Sequence, residues 1–195
     1  MNNIDNSLGL KSKEWVVRPI SIITARVLVE KFHYSCSASN TGVYFHGLFK
    51  RGSDFFDSDC MGVAWWLPPT KVAAISTFNG EWRKVLSLTR LALDPQCPKN
   101  SASFLLSKSI KMIDTNKWHC LVTYADTWQN HTGIIYKATN WEYLGVTKPY
   151  SVFQNKDGKM MGKKRAGKNL TTIEMNELGF FEVGKFSKHK FRMVL

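Results

Sequence analysis

The stretch YADTWQNHTGIIYKATNW, residues 124–141, is hard to explain as packing alone. Asp126, Thr127, Gln129, Asn130, His131 and Thr132 cluster in it, and Tyr136 follows on a helix-like run. Apolar Leu121 and Val122 lead into Asp126. A carboxylate at the end of a buried strand is either paired structurally or used as a base, and a low-dielectric site raises its pKa. Tyr136 is either a core tyrosine or an acid whose hydroxyl protonates a leaving group. If NHTGIIYKATN is one helix, Thr132 and Tyr136 share a face, with His131 less closely aligned.

Other residues offer chemistry too. His33 and Tyr34 fall at the end of a helical pattern, where a histidine is either a cap or a functional group. His46 lies in an aromatic run and could approach the same cleft. His33 and Asp126 are two candidate metal ligands, and two do not define a site. The turn QCPKNSAS, residues 96–103, joins a strand to a helix. A helix starting there offers free N–H groups and a positive dipole end to phosphate. Lys99 stands beside it, and Ser101, Ala102 and Ser103 are small enough for close approach. A merely capped core helix is the alternative. Neither GxGxxG nor GxxxxGK[ST] occurs, which speaks against Rossmann and P-loop nucleotide sites.

These residues need a frame. EWVVRPI reads as a first strand and SIITARVLVEKFHYS as a helix capped by Ser21, with Ile22, Ala25, Val29 and Phe32 as its apolar stripe. TGVYFHGLFKRG and CMGVAWWLPPT suit hairpin strands, and RKVLSLTRLAL a buried one. KVAAISTFNGEW holds a short helix. SASFLLSKSIKMI is helical, with Ala102, Leu105, Leu106, Ile110 and Ile113 on one side. HCLVTYAD is a strand, NHTGIIYKATN a helix, and WEYLGVTKPYSVF one or two strands. The alternation predicts a mixed α/β domain, residues 1–195, with a largely antiparallel sheet flanked by helices. The glycine- and lysine-rich segment at about 154–169 has little to bury and reads as a mobile loop. The C-terminal tail resumes apolar alternation and should pack back.

The net charge of +12 is uneven. Residues 148–195 hold eleven Lys or Arg against four Asp or Glu, and residues 1–147 sixteen against eleven. That asymmetry favours a polyanion, with nucleic acid first, over a generic solvated basic face. Lys156, Lys159, Lys163, Lys164, Arg165 and Lys168 would track phosphates. Trp65 and Trp66 either stack on an unpaired base or pack in the core. The four cysteines form no close pair, so reduced buried thiols are expected rather than disulfides or zinc. No apolar run reaches the roughly 18 residues of a membrane span, and the first residues lack a signal-peptide core. A cytoplasmic protein without membrane association is expected.

The motifs carry a resemblance. LTRLALDPQCPKNSASFLLSKSIKMI resembles the donor-binding strand and helix of the GNAT acyltransferases, and IIYKATNWEYLG their final tyrosine helix. The resemblance implies acyl-donor contacts from Leu91, Leu93, Lys99, Asn100, Ser101 and Ser103, and makes Tyr136 the acid on the leaving group. The family's usual turn is [RQ]xxGx[GA]. Here PKNSAS stands in its place, with Pro98 and Ser101 at the basic or amide and first glycine positions, which points away from a plain acetyl-CoA donor.

DPQCPKNSASFLLSKSIK, LVTYADTWQNHTGIIYKATNWEYLG, KHKFRM and HYS at 33–35 are more closely similar to the phage Mom-type DNA modification proteins, a divergent GNAT branch. Asn130 stands where that family often has glycine. The resemblance implies conversion of adenine in double-stranded DNA to a carbamoylmethyl form that shields phage DNA from restriction, in the host cytoplasm. It assigns catalytic roles to His33, Tyr34, Asp126 and Tyr136. Reaching an adenine amine requires flipping the base out. The carbamoylmethyl product is an isomer of glycyl-adenine, so either glycyl-tRNA or an acyl-CoA is a possible donor. An ordinary N-acetyltransferase acting on a protein or small-molecule amine is the competing expectation. A DNA-binding module without catalysis is a third.

Overall fold

A computed structural model describes residues 9–165 and 168–195, the side chains of Lys164 and Arg165 excepted. Those two cations, proposed above for DNA, therefore lie outside the described side chains. Strand β1 (Trp15–Pro19) leads into helix α1 (Ile22–Phe32). The Ser21 hydroxyl accepts the Thr24 amide and caps α1, as the sequence predicts. Ala25, Leu28 and Val29 form its buried stripe, while Ile22 and Phe32 are only partly covered.

Strands β2 (Tyr44–Lys50) and β3 (Gly62–Leu67) form the hairpin. After the short α2 (Lys71–Ile75) come β4 (Val85–Leu93), α3 (Ser101–Ile110) and β5 (Cys120–Asp126). Next are α4 (Ile134–Ala138), β6 (Glu142–Val146), β7 (Tyr150–Gln154) and β8 (Met160–Met161). The chain ends with β9 (Lys164–Arg165), β10 (Lys168–Asn169), α5 (Thr172–Glu177), β11 (Phe181–Phe186) and β12 (Lys188–Val194).

Seven strands form the main sheet in the order β1-β2-β3-β4-β5-β12-β6. Its neighbours are antiparallel except β4 and β5, which are parallel across the α3 crossover. This is the mixed α/β architecture expected. The final strand does not simply cover the sheet. It inserts between β5 and β6, bringing Lys188 opposite Asp126.

Alternation along β3 shows why the core has two sides. Val63 and Trp65 pack toward α1, with Ala25, Val29 and Phe49. Ala64 and Trp66 pack toward α3, with Leu105, Leu106 and Leu86. Both tryptophans have no exposed surface, so the base-stacking role considered for them is corrected: they are core on opposite faces. Their indole N–H groups are spent inside, Trp65 on the Thr41 carbonyl and Trp66 on the Ser109 hydroxyl.

Two further expectations change. The lysine-rich segment is not irregular throughout, since β8 joins a three-stranded sheet, β11-β7-β8, and β9 pairs with β10. The helix after β5 is only one turn long. Asn130 and Gly133 both take left-handed backbone, so Thr132 lies before α4 and does not share its face with Tyr136. Gly133 has no substitute there, because a Cβ would collide with the Phe191 ring. Among the described residues, no helix is long and apolar enough to cross a membrane.

Candidate active site

β4 and β5 pair only from Val85–Cys120 to Leu88–Thr123, and then part. A bulge explains the divergence. Across β3, Trp65 faces Arg90 while Trp66 faces Leu88, so Thr89 is the extra residue that bends β4 away. Between the parted strands lies a cavity of about 550 Å³, lined by residues 88–93 of β4, 123–125 of β5 and 130–136 beyond it.

Among the described residues, the β4 edge facing this cavity has no strand partner beyond Leu88. The Asp94 amide donates to Met61 of the β3 side. Antiparallel ladders alternate, so Ala92 and Arg90 also turn their backbone groups to β3. Leu91 and Leu93 consequently present N–H and C=O groups to the cavity, a ready hydrogen-bonding edge for an extended amide-bearing ligand. Ala102, at the start of α3, lines the same space. The other expected donor residues contribute less. Ser101 is buried, and its hydroxyl donates to the Pro98 carbonyl. The Ser103 hydroxyl donates to the Asn100 carbonyl. The Lys99 carbonyl accepts the Leu10 amide. Lys99 and Asn100 remain exposed at the turn.

Asp126 closes β5, with only 2% of its surface exposed. Its Oδ2 accepts from the Tyr150 hydroxyl at 2.8 Å and the Tyr34 hydroxyl at 3.3 Å, and pairs with the Lys188 ammonium at 3.1 Å. Its Oδ1 accepts the Trp128 amide at 3.3 Å. Burial alone would raise this carboxyl. The Tyr150 hydrogen bond and the Lys188 charge outweigh it and hold Asp126 below the ordinary carboxylate range. Burial and the Asp126 charge push Tyr34 well above the usual phenol range, and burial and the Asp126 hydrogen bond do the same to Tyr150. At neutral pH one carboxylate therefore receives two hydroxyl hydrogens and an ammonium.

His33 packs against Tyr34, ring centroids 4.3 Å apart, and His131 meets Tyr34 edge-on at 5.6 Å. Burial, reinforced by the Arg90 charge, lowers His33 to about 3. The Ser35 amide donates to its Nδ1, which assigns the hydrogen of the neutral ring to Nε2. His33 is thus a neutral donor and a weak base. Asp126, held low, is also a weak base, and neither has the pKa near neutrality that suits general-base work.

Tyr136 lines the cavity at its inner end, between Trp141 and Phe191 at 5.7 and 5.2 Å. Burial raises its pKa, with the Thr123 side chain acting against it, so it carries its proton at neutral pH. Thr123 is also the last β5 residue paired with β4.

Of the sequence-predicted residues, His33, Tyr34 and Tyr136 line this cavity, while Asp126 lies outside its lining and is joined to it through the Tyr34 hydroxyl. His46 is not among them: its Nδ1 meets Ser109 Oγ at 2.6 Å inside the core. Among the described residues, no group of three His, Cys, Asp or Glu is arranged to hold a metal. Three participants escaped the sequence reading. Tyr150 and Lys188 reach Asp126 only through tertiary pairing. Arg90 borders the cavity from the bulged part of β4, bonded to the Ser37 and Thr89 carbonyls. A lone arginine in a dense apolar strand was the available signal for it.

The basic segment is mixed. Lys156 and Lys159 are exposed. Lys163 bonds Thr172 and lies over the Phe153 ring at 5.0 Å. Lys168 pairs with Glu174 at 2.6 Å, which neutralises part of its charge.

The methylcarbamoylase mom of Escherichia phage Mu is 27% identical over 199 residues, spanning 94% of this chain and 77% of that protein. Among solved structures, the IAA acetyltransferase of Bacillus cereus superposes with a TM-score of 0.56 at 11% identity, covering 93% of this chain and 99% of that one. Arabidopsis thaliana NAA60, in complex with a bisubstrate analogue, gives 0.54 at 11% identity, with 92% and 97% covered. At such identities the likeness establishes the fold, which is that of the GNAT acetyltransferases. The model of the Mom protein family matches residues 14–195, nearly the whole chain, and this protein belongs to that family.

Proposed function

We propose that this protein is an acyltransferase-type enzyme that modifies the exocyclic amine of adenine in double-stranded DNA, yielding the carbamoylmethyl form and protecting phage DNA from restriction. The observation that carries the reading is the meeting of the β4–β5 cleft with the Asp126 cluster. One side offers an extended backbone edge for a donor, and the other a charged, hydrogen-bonded wall for an acceptor. The phage Mu relative is named a methylcarbamoylase, and the net charge of +12 suits a polyanionic substrate.

An acyl thioester lying along β4 would supply an activated carbonyl, and the cleft favours this class of donor. No observation favours a charged tRNA. Leu91 and Leu93 backbone groups orient the carrier. The new bond joins adenine N6 to the carbonyl carbon, and the carbon–sulfur bond breaks. Tyr136 gives its proton to the departing sulfur. The attacking nitrogen is cationic at that stage and sheds its proton readily, so a weak base such as Asp126 suffices. Adenine's amine is a poor nucleophile, and much of the rate must come from positioning. Asp126, Tyr34 and Tyr150 provide a fixed polar wall for that purpose. With a glycyl group transferred, the glycyl amine then bonds to adenine C6 as the C6–N6 bond breaks; the original N6 takes a proton and becomes the terminal amide nitrogen, the new ring-bound nitrogen gives one up, and no atoms are added or lost.

Nucleoside mass spectrometry of DNA from cells expressing the protein tests the reading. A modified deoxyadenosine is expected. Only ordinary deoxyadenosine in that DNA would remove the proposal.

A further inference from the structure

A second cavity adjoins the first. It measures about 250 Å³ and lies between the Asp126 end of β5 and the small β7–β8 sheet. Tyr34 and Arg90 line both cavities, so the two share a wall. The larger one contains the open β4 edge and Tyr136, whereas the smaller contains Asp126, Tyr150 and Lys188.

We infer that the smaller cavity is the pocket that receives the flipped-out adenine. The inference rests on the DNA-modifying reading above and assigns its acceptor site. Size is the first argument. Sites for drug-sized ligands span roughly 300–1,000 Å³, and this cavity falls just below that range, in the class of a single flat heterocycle.

Lining chemistry is the second argument. Tyr34 and Tyr150 supply aromatic surface, and Met160 and Met161 supply polarizable sulfur that packs on a ring. Tyr150 is further held by the Lys188 ammonium over its ring at 4.8 Å. Flipped bases are commonly read by stacking together with hydrogen bonds to the Watson–Crick edge.

The polar end supplies the third argument. Asp126 Oδ2 already takes three donors, but Oδ1 takes only the Trp128 amide and keeps a lone pair. A carboxylate accepts from an exocyclic amine. The Lys188 ammonium, which has hydrogens beyond the one it gives Asp126, stands beside it as a donor for a neighbouring ring nitrogen. One acceptor next to one donor matches the N6–N1 edge of adenine. Other bases also set a donor beside an acceptor, so the choice of adenine comes from the proposed function and the placement of the pocket from its lining.

The approach to the cavity also fits a DNA strand. Lys159 directly precedes Met160, and Lys163 follows Gly162 and lies over Phe153. Lys159, which is exposed, and Lys163, which is partly buried and bonded to Thr172, would meet the phosphates on either side of an extruded nucleotide. The second sheet, on this view, is the acceptor half of the active site.

The test is to fill the pocket. Gly162 borders it, is exposed, and has nothing within 4 Å of a Cβ built there, so Gly162→Phe places a ring at the pocket's edge with free space at its Cβ. Met161→Trp, opposite Phe153 in the β7–β8 pairing, fills it independently. Three quantities are measured for each: modified deoxyadenosine in cellular DNA, thermal melting, and low-salt affinity for a mixed-sequence duplex. The expected result is at least a tenfold loss of modified base in the variant that melts like wild type, with duplex affinity within about threefold because phosphate contacts dominate it. Wild-type modification levels in a folded, pocket-filled variant would overturn the pocket while leaving the proposed function standing. Absence of modified base with the wild-type protein would instead overturn the proposed function, and the pocket with it.

Discussion

Replacing Lys188 with Met leaves Asp126 buried without its cation. Removing one partner of a fully buried pair costs about 3–5 kcal/mol, whereas fully exposed pairs contribute about 0–1 kcal/mol. Asp126 is buried, but the Lys188 side chain keeps 33% of its surface exposed, so the pair lies between these limits. The two remaining hydroxyl donors, Tyr150 and Tyr34, cushion the loss. About 2 kcal/mol of destabilisation is expected for Lys188→Met. Asp126→Asn should cost less, because a partly exposed ammonium can turn to water. Urea unfolding of both single variants and the double variant gives the coupling energy, expected at about 1–2 kcal/mol. The pH dependence supplies a second reading. Asp126 is held below its unfolded value, so its contribution is present above the unfolded carboxyl pKa of about 3.9 and is lost as pH falls through the lower folded value. Lys188→Met should therefore flatten the acid limb of stability below about pH 4. A coupling energy under about 0.5 kcal/mol, the level at which independent sites add, would refute the paired arrangement.

Other consequences are direct. Tyr136→Phe should lower turnover by about 10²–10⁴, the usual range for an acid–base group, while melting stays near wild type; unchanged turnover in single-turnover kinetics would exclude the acid role. Trp66→Ala should cost about 3–5 kcal/mol in chemical denaturation, because the indole fills the core between β3 and α3. Lys156→Gln with Lys159→Gln should reduce the slope of log affinity against log salt by about 2 in duplex-binding titrations, if both exposed ammonium groups meet phosphates. Since His33 is lowered to about 3 and its unfolded counterpart titrates near 6.5, the folded state is favoured above the latter value. That contribution fades as pH drops from about 6.5 toward about 3, and His33→Gln should remove this part of the stability–pH curve.

Local patterns revealed the order of elements and two of the site's anchors. Ser21 announced α1, the dense apolar run around Leu88 announced β4, and Asp126 stood out as a carboxylate ending a buried strand. Long-range partners had no such signal. Lys188 lies 62 positions from Asp126 and becomes its neighbour only because β12 inserts between β5 and β6. Tyr150 looked like the start of another strand, and nothing near it in sequence points to Asp126. The adjacent tryptophans misled for a related reason. An aromatic pair on a strand has opposite-facing side chains, and only the presence of helices on both sides of β3 makes both faces interior. The tyrosine helix is shorter than its sequence pattern suggests because left-handed backbone at Asn130 and Gly133 interrupts it, and the need for glycine at 133 depends on Phe191, a residue from the other end of the chain.

The central claim is that the Asp126 cluster positions an adenine amine for modification. Nucleoside mass spectrometry of DNA from cells making equal amounts of wild type and Asp126→Asn addresses it most directly, with fragmentation locating the added group. The account predicts a deoxyadenosine carrying its added mass on the exocyclic nitrogen with wild type. It predicts at least a hundredfold less with a folded Asp126→Asn variant, in line with the roughly 10²-fold cost of misplacing a reacting group. Equal modification by both proteins, or an added group located elsewhere than the adenine amine, would contradict it.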